Sequence, residues 1–359
     1  FGMFGGFGEL FERAAADPRI AEKFLDGINP SSWLTVTFVA MAAFICLPRQ
    51  FHVAVVEARD ERELSKAVWL FPAYLVAINL FVIPVAIGGL LMFSGFGVDA
   101  DTFVLALPMV ARAEWLTLLT FIGGLSAATG MVIVATVALS TMICNDVVVP
   151  LMLHGGRQRQ AAFDDIGPQL LNIRRLAIIV ILLLGYLYYR AAGEGQALAS
   201  IGLISFAAVT QFAPAILLGL NWRGGTRVGA LAGVSAGFFV WTYTLLLPTL
   251  AQSGWFSPTF LVSGPFGIEY LRPQALFGIE GSSALTHGVA WSLAINIACF
   301  VIGSLASRPR TIEGVQAAAF VGLNAVDGLL RRGGGGVMTV GELKTMVVGF
   351  LGEQRTMRA

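Results

Sequence analysis

Long apolar segments separated by polar ones run along most of this chain, and their lengths predict membrane-spanning helices. The clearest extends from Glu114 to Asp146 and carries no charge between Trp115 and Cys144. At about 1.5 Å per residue, such a helix exceeds the bilayer core of about 30 Å. The first segment is short, so we expect it to be broken, to be re-entrant or to include residues from its flanks. Seven spans are predicted, at about residues 33–47, 67–93, 114–146, 176–189, 197–220, 228–250 and 284–306.

Composition supports this interpretation. Of the 359 residues, 56% are hydrophobic and 13% are charged, and the mean hydropathy is +0.77. Soluble domains usually contain about 25% charged residues, so we expect an all-α integral membrane protein. The net charge of +1 gives no electrostatic reason to expect a nucleic-acid partner. The three cysteines are scattered and predict neither a disulfide framework nor a metal site.

Basic residues are concentrated in alternate loops between the predicted spans. The loops after spans one, three and five, and the segment after span seven, are rich in Lys and Arg, whereas the loops between them hold few. By the positive-inside rule, residues 1–30 are extracytoplasmic and the C-terminus is cytoplasmic. Residues 31–306 are the predicted membrane domain, which we expect in a cell (inner) membrane. In residues 307–359, two amphipathic patterns flank the glycines 333–336, which is typical of a jointed cytoplasmic connector.

Hydroxyl side chains form a stripe along the third span. Ser126, Thr129, Thr136 and Ser140 fall on one face of a helix because of their spacing. Such a stripe either packs against a neighbouring helix or lines a polar path. The pattern leaves both interpretations open.

Enzyme motifs are missing from the sequence. It contains no Walker loop, GxSxG, HExxH or paired-cysteine motif, so it predicts no catalytic residue, cofactor or metal site. His52, His154 and His287 lie in predicted loops or near span ends, which favours surface or interfacial positions. The predicted spans hold no carboxylate between their ends, which favours Na⁺ over H⁺ as a coupling ion.

Three stretches resemble the sodium/solute symporter family, at its sixth, eighth and tenth core helices. They are FICLPRQFHVAVVEARDERELSKAVWLFP, LSAATGMVIVATVALSTMICND and FAAVTQFAPAILLGLNWRGGTRVGALAGVSAG. The resemblance implies a LeuT-like, symporter-type helical bundle. In that fold this chain would be a fragment that supplies the second inverted repeat and two extra helices and lacks the first repeat.

A more specific resemblance is to the transporter-type sensor histidine kinases (CbrA type). It is carried by the segments LPRQFHV, SAATGMVIVATVALSTM and TVGELKTMVVGFLGEQRTMRA. In these proteins a symporter-like domain precedes a cytoplasmic connector, a PAS domain and a kinase core. The resemblance implies that the chain senses a small nutrient, such as histidine or acetate, and signals to a downstream kinase and response regulator. The alternatives are an ordinary ion-coupled symporter and a scaffold that only holds an interaction domain at the membrane.

The resemblance also implies an ion site on the third span. In the family, the eighth core helix supplies an alanine carbonyl and adjacent hydroxyls to sodium. Counting back from Asp146 places the alanine at Ala127 and the hydroxyl pair at Gly130 and Met131, with Thr129 one position away. We therefore expect Ala127, Thr129 and Gly130 at the ion site, with Na⁺ or H⁺ as the ion.

Substrate contacts are implied on the first and fifth spans. Trp33, Thr35 and Thr37 lie on the helix that lines the substrate site in the family. Gln211 is a lone amide beside Pro214, where a helix bend is expected. It is interpreted either as a substrate contact or as a satisfied interhelical hydrogen bond.

Overall fold

The fold is entirely helical, as the sequence predicts. A computed structural model describes residues 4–25, 29–57, 61–154, 166–192, 197–255, 259–279, 281–307, 309, 313 and 317. Helix accounts for 85% of the structure, and no strand occurs in the residues it describes. The predicted connector helices after residue 310 lie almost wholly outside these residues.

The helices are labelled α1 to α15 in chain order within the described part of the chain. They are α1 (Phe7–Ala16), α2 (Pro18–Leu25), α3 (Pro30–Cys46), α4 (Pro48–Phe51), α5 (Glu61–Phe93), α6 (Phe103–Val110), α7 (Glu114–Met142), α8 (Val149–His154), α9 (Ile166–Ala192), α10 (Leu198–Thr210), α11 (Ala213–Asn221), α12 (Arg227–Trp241), α13 (Leu247–Gln252), α14 (Thr259–Ser263) and α15 (Ala284–Ala306). Short 3₁₀ and π turns join several of them.

Six spans are long and apolar enough to cross a membrane, and α3 with α4 makes a seventh if the pair is one broken span. The chain is therefore a multi-pass membrane protein, and this architecture is consistent with a symporter-type helical bundle. The spans are Arg62–Phe93, Glu114–Met152, Gly167–Ala191, Leu198–Asn221, Arg227–Gln252 and Ala284–Ala306.

The chain bends by 56° after α3, so α3 and α4 form either a broken span or a re-entrant loop. Helix α3 ends at Cys46, and Leu47 is extended, with φ −70° and ψ 123°. The residue before a proline is pushed out of the helical region by the proline ring. A new helix, α4, then begins at Pro48.

Helix α6 was not predicted from the sequence, which indicates only a loop between spans two and three. It is an apolar helix of eight residues, far shorter than a membrane span. Its Phe103 ring lies over Gly89 of α5, where a Cβ atom would come within 2.7 Å of ring carbon Cε2. The small size of Gly89 thus allows α6 to pack closely on α5.

The chain forms two compact units, of which the first contains residues 1–29 and 47–199. In it, the N-terminal helices lie against α5. Leu10, Ala14 and Ile20 are buried with Ile87 in one apolar cluster. These buried side chains form one apolar face of the N-terminal helices, and this face packs on α5.

The second unit contains residues 30–46 and 200 onwards. Its apolar core is formed by Val39, Ala207, Leu245 and Val289, which come from distant parts of the sequence. Helices α12 and α15 pack closely in this unit. Beside them, α10 and α11 form one span that is interrupted by two residues. This unit holds the largest group of buried polar side chains described below.

Candidate functional site at the break between α10 and α11

The fifth predicted span is interrupted near its middle. Helix α10 ends at Thr210, Gln211 and Phe212 form a turn, and α11 begins at Ala213. Pro214 is one of the first two residues of α11. Because proline has no N–H and its ring clashes with the preceding turn, it is favoured at a helix start over a helix interior. The helix is therefore interrupted beside Pro214, where the sequence predicts a bend.

Gln211 is completely buried at this break and is fully hydrogen-bonded. Its Nε2 donates to Oγ of Ser292 at 2.9 Å and to the carbonyl oxygen of Ala207 at 3.3 Å. Its Oε1 accepts a hydrogen bond of 3.1 Å from Nδ2 of Asn296. The amide therefore joins the broken span to α15.

Asn296 is also completely buried and completes the polar cluster. Its Nδ2 donates to the backbone carbonyl of Gln211 at 2.7 Å as well as to the Gln211 side chain. Its Oδ1 has no hydrogen-bond partner among the described residues. An unpaired buried acceptor is costly, by about 1–3 kcal/mol, and such groups are uncommon in native structures. We refer to Gln211, Ser292 and Asn296 as the amide cluster.

The face of α15 that carries the cluster is set by its sequence. Ser292, Asn296, Phe300 and Ser304 are four residues apart and share one side of the helix, and all four are buried. The hydroxyl of Ser304 accepts a hydrogen bond of 3.2 Å from the backbone N–H of Thr226. Polar contacts thus hold both ends of this helical face.

Glycines on α12 make room for this face. A Cβ atom at Gly237 would lie 2.6 Å from Nδ2 of Asn296, and one at Gly233 would lie 2.8 Å from the Asn296 carbonyl oxygen. At Gly229 it would lie 2.8 Å from the backbone nitrogen of Ser304. Small residues at this spacing let membrane helices approach closely. We refer to Gly229, Gly233 and Gly237 as the glycine face.

Helix α3 reaches the break through Val39. The Thr210 hydroxyl donates to the Phe206 carbonyl at 2.8 Å and to the Val39 carbonyl at 3.5 Å. Val39 and Thr210 are both fully buried. The broken span is therefore tied to α3 on one side and to α15 on another.

The predicted substrate residues of α3 lie nearer its start. Trp33 is 56% exposed, Thr37 is exposed, and the Thr35 hydroxyl donates to the Ser31 carbonyl at 2.8 Å. In the described part of the chain, no hydrogen bond joins them to Gln211. Their role as substrate contacts stays a prediction.

The predicted ion-site residues lie on α7, in the other unit. Ala127, Thr129 and Gly130 are all exposed. The Thr129 hydroxyl donates to the Leu125 carbonyl at 2.7 Å, within its own helix. Further along the hydroxyl stripe, Thr136 and Ser140 are buried. Their assignment as ion ligands also stays a prediction.

Sequence reasoning missed the two partners of Gln211 on α15. Ser292 and Asn296 are polar residues four positions apart in an apolar helix of 23 residues, and this spacing was a readable signal. The surface interpretation of His287 was wrong, because this residue is 3% exposed. Its Nε2 accepts a hydrogen bond of 2.9 Å from the backbone N–H of Leu276, so the preceding loop covers the ring.

Comparison with known proteins gives one relative. The chain is 25% identical over 193 residues to an uncharacterised symporter of Cupriavidus necator, a match that covers 50% of this chain and 26% of the relative. The chain therefore matches about a quarter of that protein's length. No protein-family model matches the chain, and no solved structure matches it. The apolar spans and this similarity together support a symporter-like membrane protein.

Proposed function

We propose that this chain is the solute-sensing membrane domain of a sensor histidine kinase, built on a symporter-type bundle. In this proposal, a small polar nutrient binds at the amide cluster. Binding changes the arrangement of the helices around the break, and residues 307–359 pass this change to a C-terminal kinase. An uptake measurement decides whether the solute is also carried across the membrane.

The amide cluster is the observation that carries this proposal. Polar side chains inside a membrane domain are costly and are typical of binding sites and transport pathways. Broken helices serve as substrate sites in transporters because their backbone groups become available for binding. Gln211, Ser292 and Asn296 combine both features. The existing bonds of Gln211 also hold α10 to α15, so a bound solute would replace one of them.

The chemistry of the cluster favours a solute that forms directional hydrogen bonds. Amide and hydroxyl groups offer donors and acceptors without a full charge, and the Oδ1 of Asn296 is an acceptor without a donor among the described residues. A solute with an N–H or ammonium group would supply that donor. The family resemblance names an amino acid such as histidine, or a short carboxylate such as acetate.

The ion and the orientation belong to the proposal as well. Ala127, Thr129 and Gly130 would form the ion site, with Na⁺ or H⁺ as the coupling ion. The distribution of basic residues supports an inner-membrane protein with a cytoplasmic C-terminus. That side is where a kinase domain and its response regulator would act, and the resemblance of the tail to a kinase connector supports this arrangement.

A thermal-shift screen of the full-length protein against amino acids and short carboxylates tests the site. We expect one of these solutes to raise the melting temperature of the wild type and to have no effect on Gln211→Leu. Asn221→Leu is the matched control, because the Asn221 amide donates within its own helix, to the Leu217 carbonyl at 2.8 Å. Binding that survives in Gln211→Leu, or the absence of any bound solute, would overturn the proposal.

An ordinary symporter without a kinase is the second candidate, favoured by the name of the Cupriavidus necator relative. The two candidates differ in the event that solute binding triggers. Solute-dependent autophosphorylation of the full-length protein supports the sensor. Uptake into proteoliposomes without any phosphorylation, from a reading frame that ends soon after Ala359, supports the symporter.

A further inference from the structure

A cavity of about 750 Å³ lies in the first unit, between α2, the end of α5 and the start of α6. One wall is the turn that follows α5, where Gly95 and Gly97 have φ values of 93° and 67°. These left-handed conformations favour glycine, so the sharp turn depends on both residues. The stacked rings of Phe93 and Phe103, with centroids 5.7 Å apart, form part of another wall.

Arg19 gives this cavity a positive charge. It is the one charged residue that lines the cavity among the described residues. Its guanidinium has no carboxylate partner in the described part of the chain. The carboxylate of Asp17, two residues before Arg19, accepts from the backbone N–H of Arg19. The carboxylates of Asp99 and Asp101 do not line the cavity, and they accept from the backbone N–H groups of Asp101 and Leu198.

A second, apolar cavity of about 370 Å³ lies beside the first. Both are lined by Leu90, Ala100 and Phe103, so they share a boundary. The second runs back along α5, where it is lined by residues such as Phe81 and Val82, which are 62% and 52% exposed. A charged chamber therefore adjoins a hydrophobic groove.

The groove has the length and position of a lipid chain. Along α5, its lining residues extend from Ile78 to Leu90, inside the span Arg62–Phe93. These positions cover about 18 Å of helix, which is close to half the thickness of a bilayer core of about 30 Å. The charged chamber lies at the end of this span, at the level expected for headgroups.

We propose that an anionic phospholipid binds here, with its phosphate beside Arg19 and one acyl chain in the groove between α5 and α6. A phosphate pairs well with a guanidinium, and hydrocarbon fills an apolar groove open to the bilayer. A soluble anion would leave the groove empty, and a zwitterionic lipid such as phosphatidylcholine would place its choline cation close to Arg19 together with its phosphate. This site is separate from the amide cluster and does not depend on the proposed function.

Native mass spectrometry of the detergent-purified full-length protein tests the site. The probes are dioleoylphosphatidylglycerol, dioleoylphosphatidylcholine and glycerol phosphate, which is the headgroup alone. We expect the wild type to bind phosphatidylglycerol more tightly than phosphatidylcholine, and glycerol phosphate not to compete. Equal binding of the two lipids, or competition by glycerol phosphate at the lipid's own concentration, would overturn the proposal.

Substitutions separate the two halves of the site. Arg19→Gln should weaken binding of phosphatidylglycerol about fivefold, as expected for one basic group at an anionic surface, and Arg19→Lys should retain most of it. Val82→Trp, which fills the groove from an exposed position, should weaken binding of both lipids.

Arg13→Gln is the control, because Arg13 pairs with Glu9 and does not line the cavity. It should bind phosphatidylglycerol as the wild type does. Wild-type affinity in both Arg19→Gln and Val82→Trp would show that lipid does not bind here. Each variant's melting temperature is measured in parallel, so that a folding defect is recognised.

Discussion

The side chain of Asn296 donates a hydrogen bond of 2.7 Å to the backbone carbonyl of Gln211, the first residue of the break in the fifth span. A helix break inside a membrane leaves backbone groups without their usual partners, and these need donors from elsewhere in the protein. One side chain of α15 supplies a donor here and also bonds to the Gln211 amide. The break and the amide cluster are therefore a single unit of structure.

Replacing Asn296 by leucine should destabilise the second unit. Asn296→Leu removes the donor of both the Gln211 carbonyl and the Gln211 amide oxygen, and both acceptors stay buried. Loss of a buried partner costs about 1–3 kcal/mol, although hydrogen bonds between membrane helices average nearer to about 0.6 kcal/mol. Because Asn296→Leu also removes the unpaired Oδ1, part of this cost is offset, and we expect a net loss of about 1 kcal/mol, measured by unfolding in a denaturing detergent.

Asn221→Leu provides the comparison for this change. The side-chain amide of Asn221 donates a hydrogen bond within α11. Removing this amide should therefore cost less than about 0.5 kcal/mol, as is usual at exposed positions. Equal losses in the two variants would show that Asn296 does not stabilise the break.

Alanine substitutions on the glycine face should push α12 and α15 apart. Gly233→Ala places a Cβ atom 2.8 Å from the Asn296 carbonyl oxygen, which belongs to a helix backbone and has little room to move. At Gly237 the nearest atoms belong to side chains, so the strain is more easily relieved. Overpacking costs about 1–3 kcal/mol, and we expect Gly233→Ala to lie at the upper end and Gly237→Ala below it.

Gly202→Ala controls for helix propensity, because nothing lies within 4 Å of a Cβ atom at that position of α10. Alanine is the better helix former by about 1 kcal/mol, so this variant should be as stable as the wild type or more so. Melting temperatures of the three variants test the order. A loss at Gly202 as large as that at Gly233 would contradict the close approach.

The spans could be predicted because a membrane requires long, uncharged helices, and few other folds produce them. An irregular first span could be predicted from the short length of its apolar segment, but the position of the bend at Pro48 could not. Helix α6 could not be predicted in the same way, since its eight residues give too short a pattern. Its position depends on Phe103 fitting over Gly89, which is a contact between two elements and not a property of either sequence alone.

One of the three residues of the amide cluster could also be predicted. Gln211 stood out because it is a lone amide beside a proline in an apolar segment. Its partners lie 81 and 85 residues away in sequence, and only the packing of α15 on the glycine face brings them together. The burial of His287 was also missed. A loop covers this residue, and the sequence pattern does not predict where a loop packs.

A sodium site on α7 makes a separate prediction. If Thr129 contributes an ion ligand, Na⁺ should raise the melting temperature of the full-length protein relative to K⁺ at equal ionic strength. Thr129→Val should abolish this difference. The same variant should change the stability in K⁺ by less than about 0.5 kcal/mol, since the residue is exposed and bonded within its own helix. Sodium stabilisation that persists in Thr129→Val would remove Thr129 from the ion site.

His287 should control the opening of the loop before α15. Its Nε2 accepts from the Leu276 N–H at 2.9 Å, so the ring is neutral, with its proton on Nδ1. His287→Phe keeps a ring of similar size and leaves the Leu276 N–H without a partner. We expect faster hydrogen exchange at the Leu276 amide, by about tenfold if the lost bond contributes about 1.4 kcal/mol to closing the loop.

Ser292→Ala, which alters α15 within the amide cluster and does not touch this loop contact, should leave the exchange rate of the Leu276 amide at the wild-type value. An unchanged rate in His287→Phe would mean that the loop is held closed by its other contacts, such as that of Phe277 with Trp291.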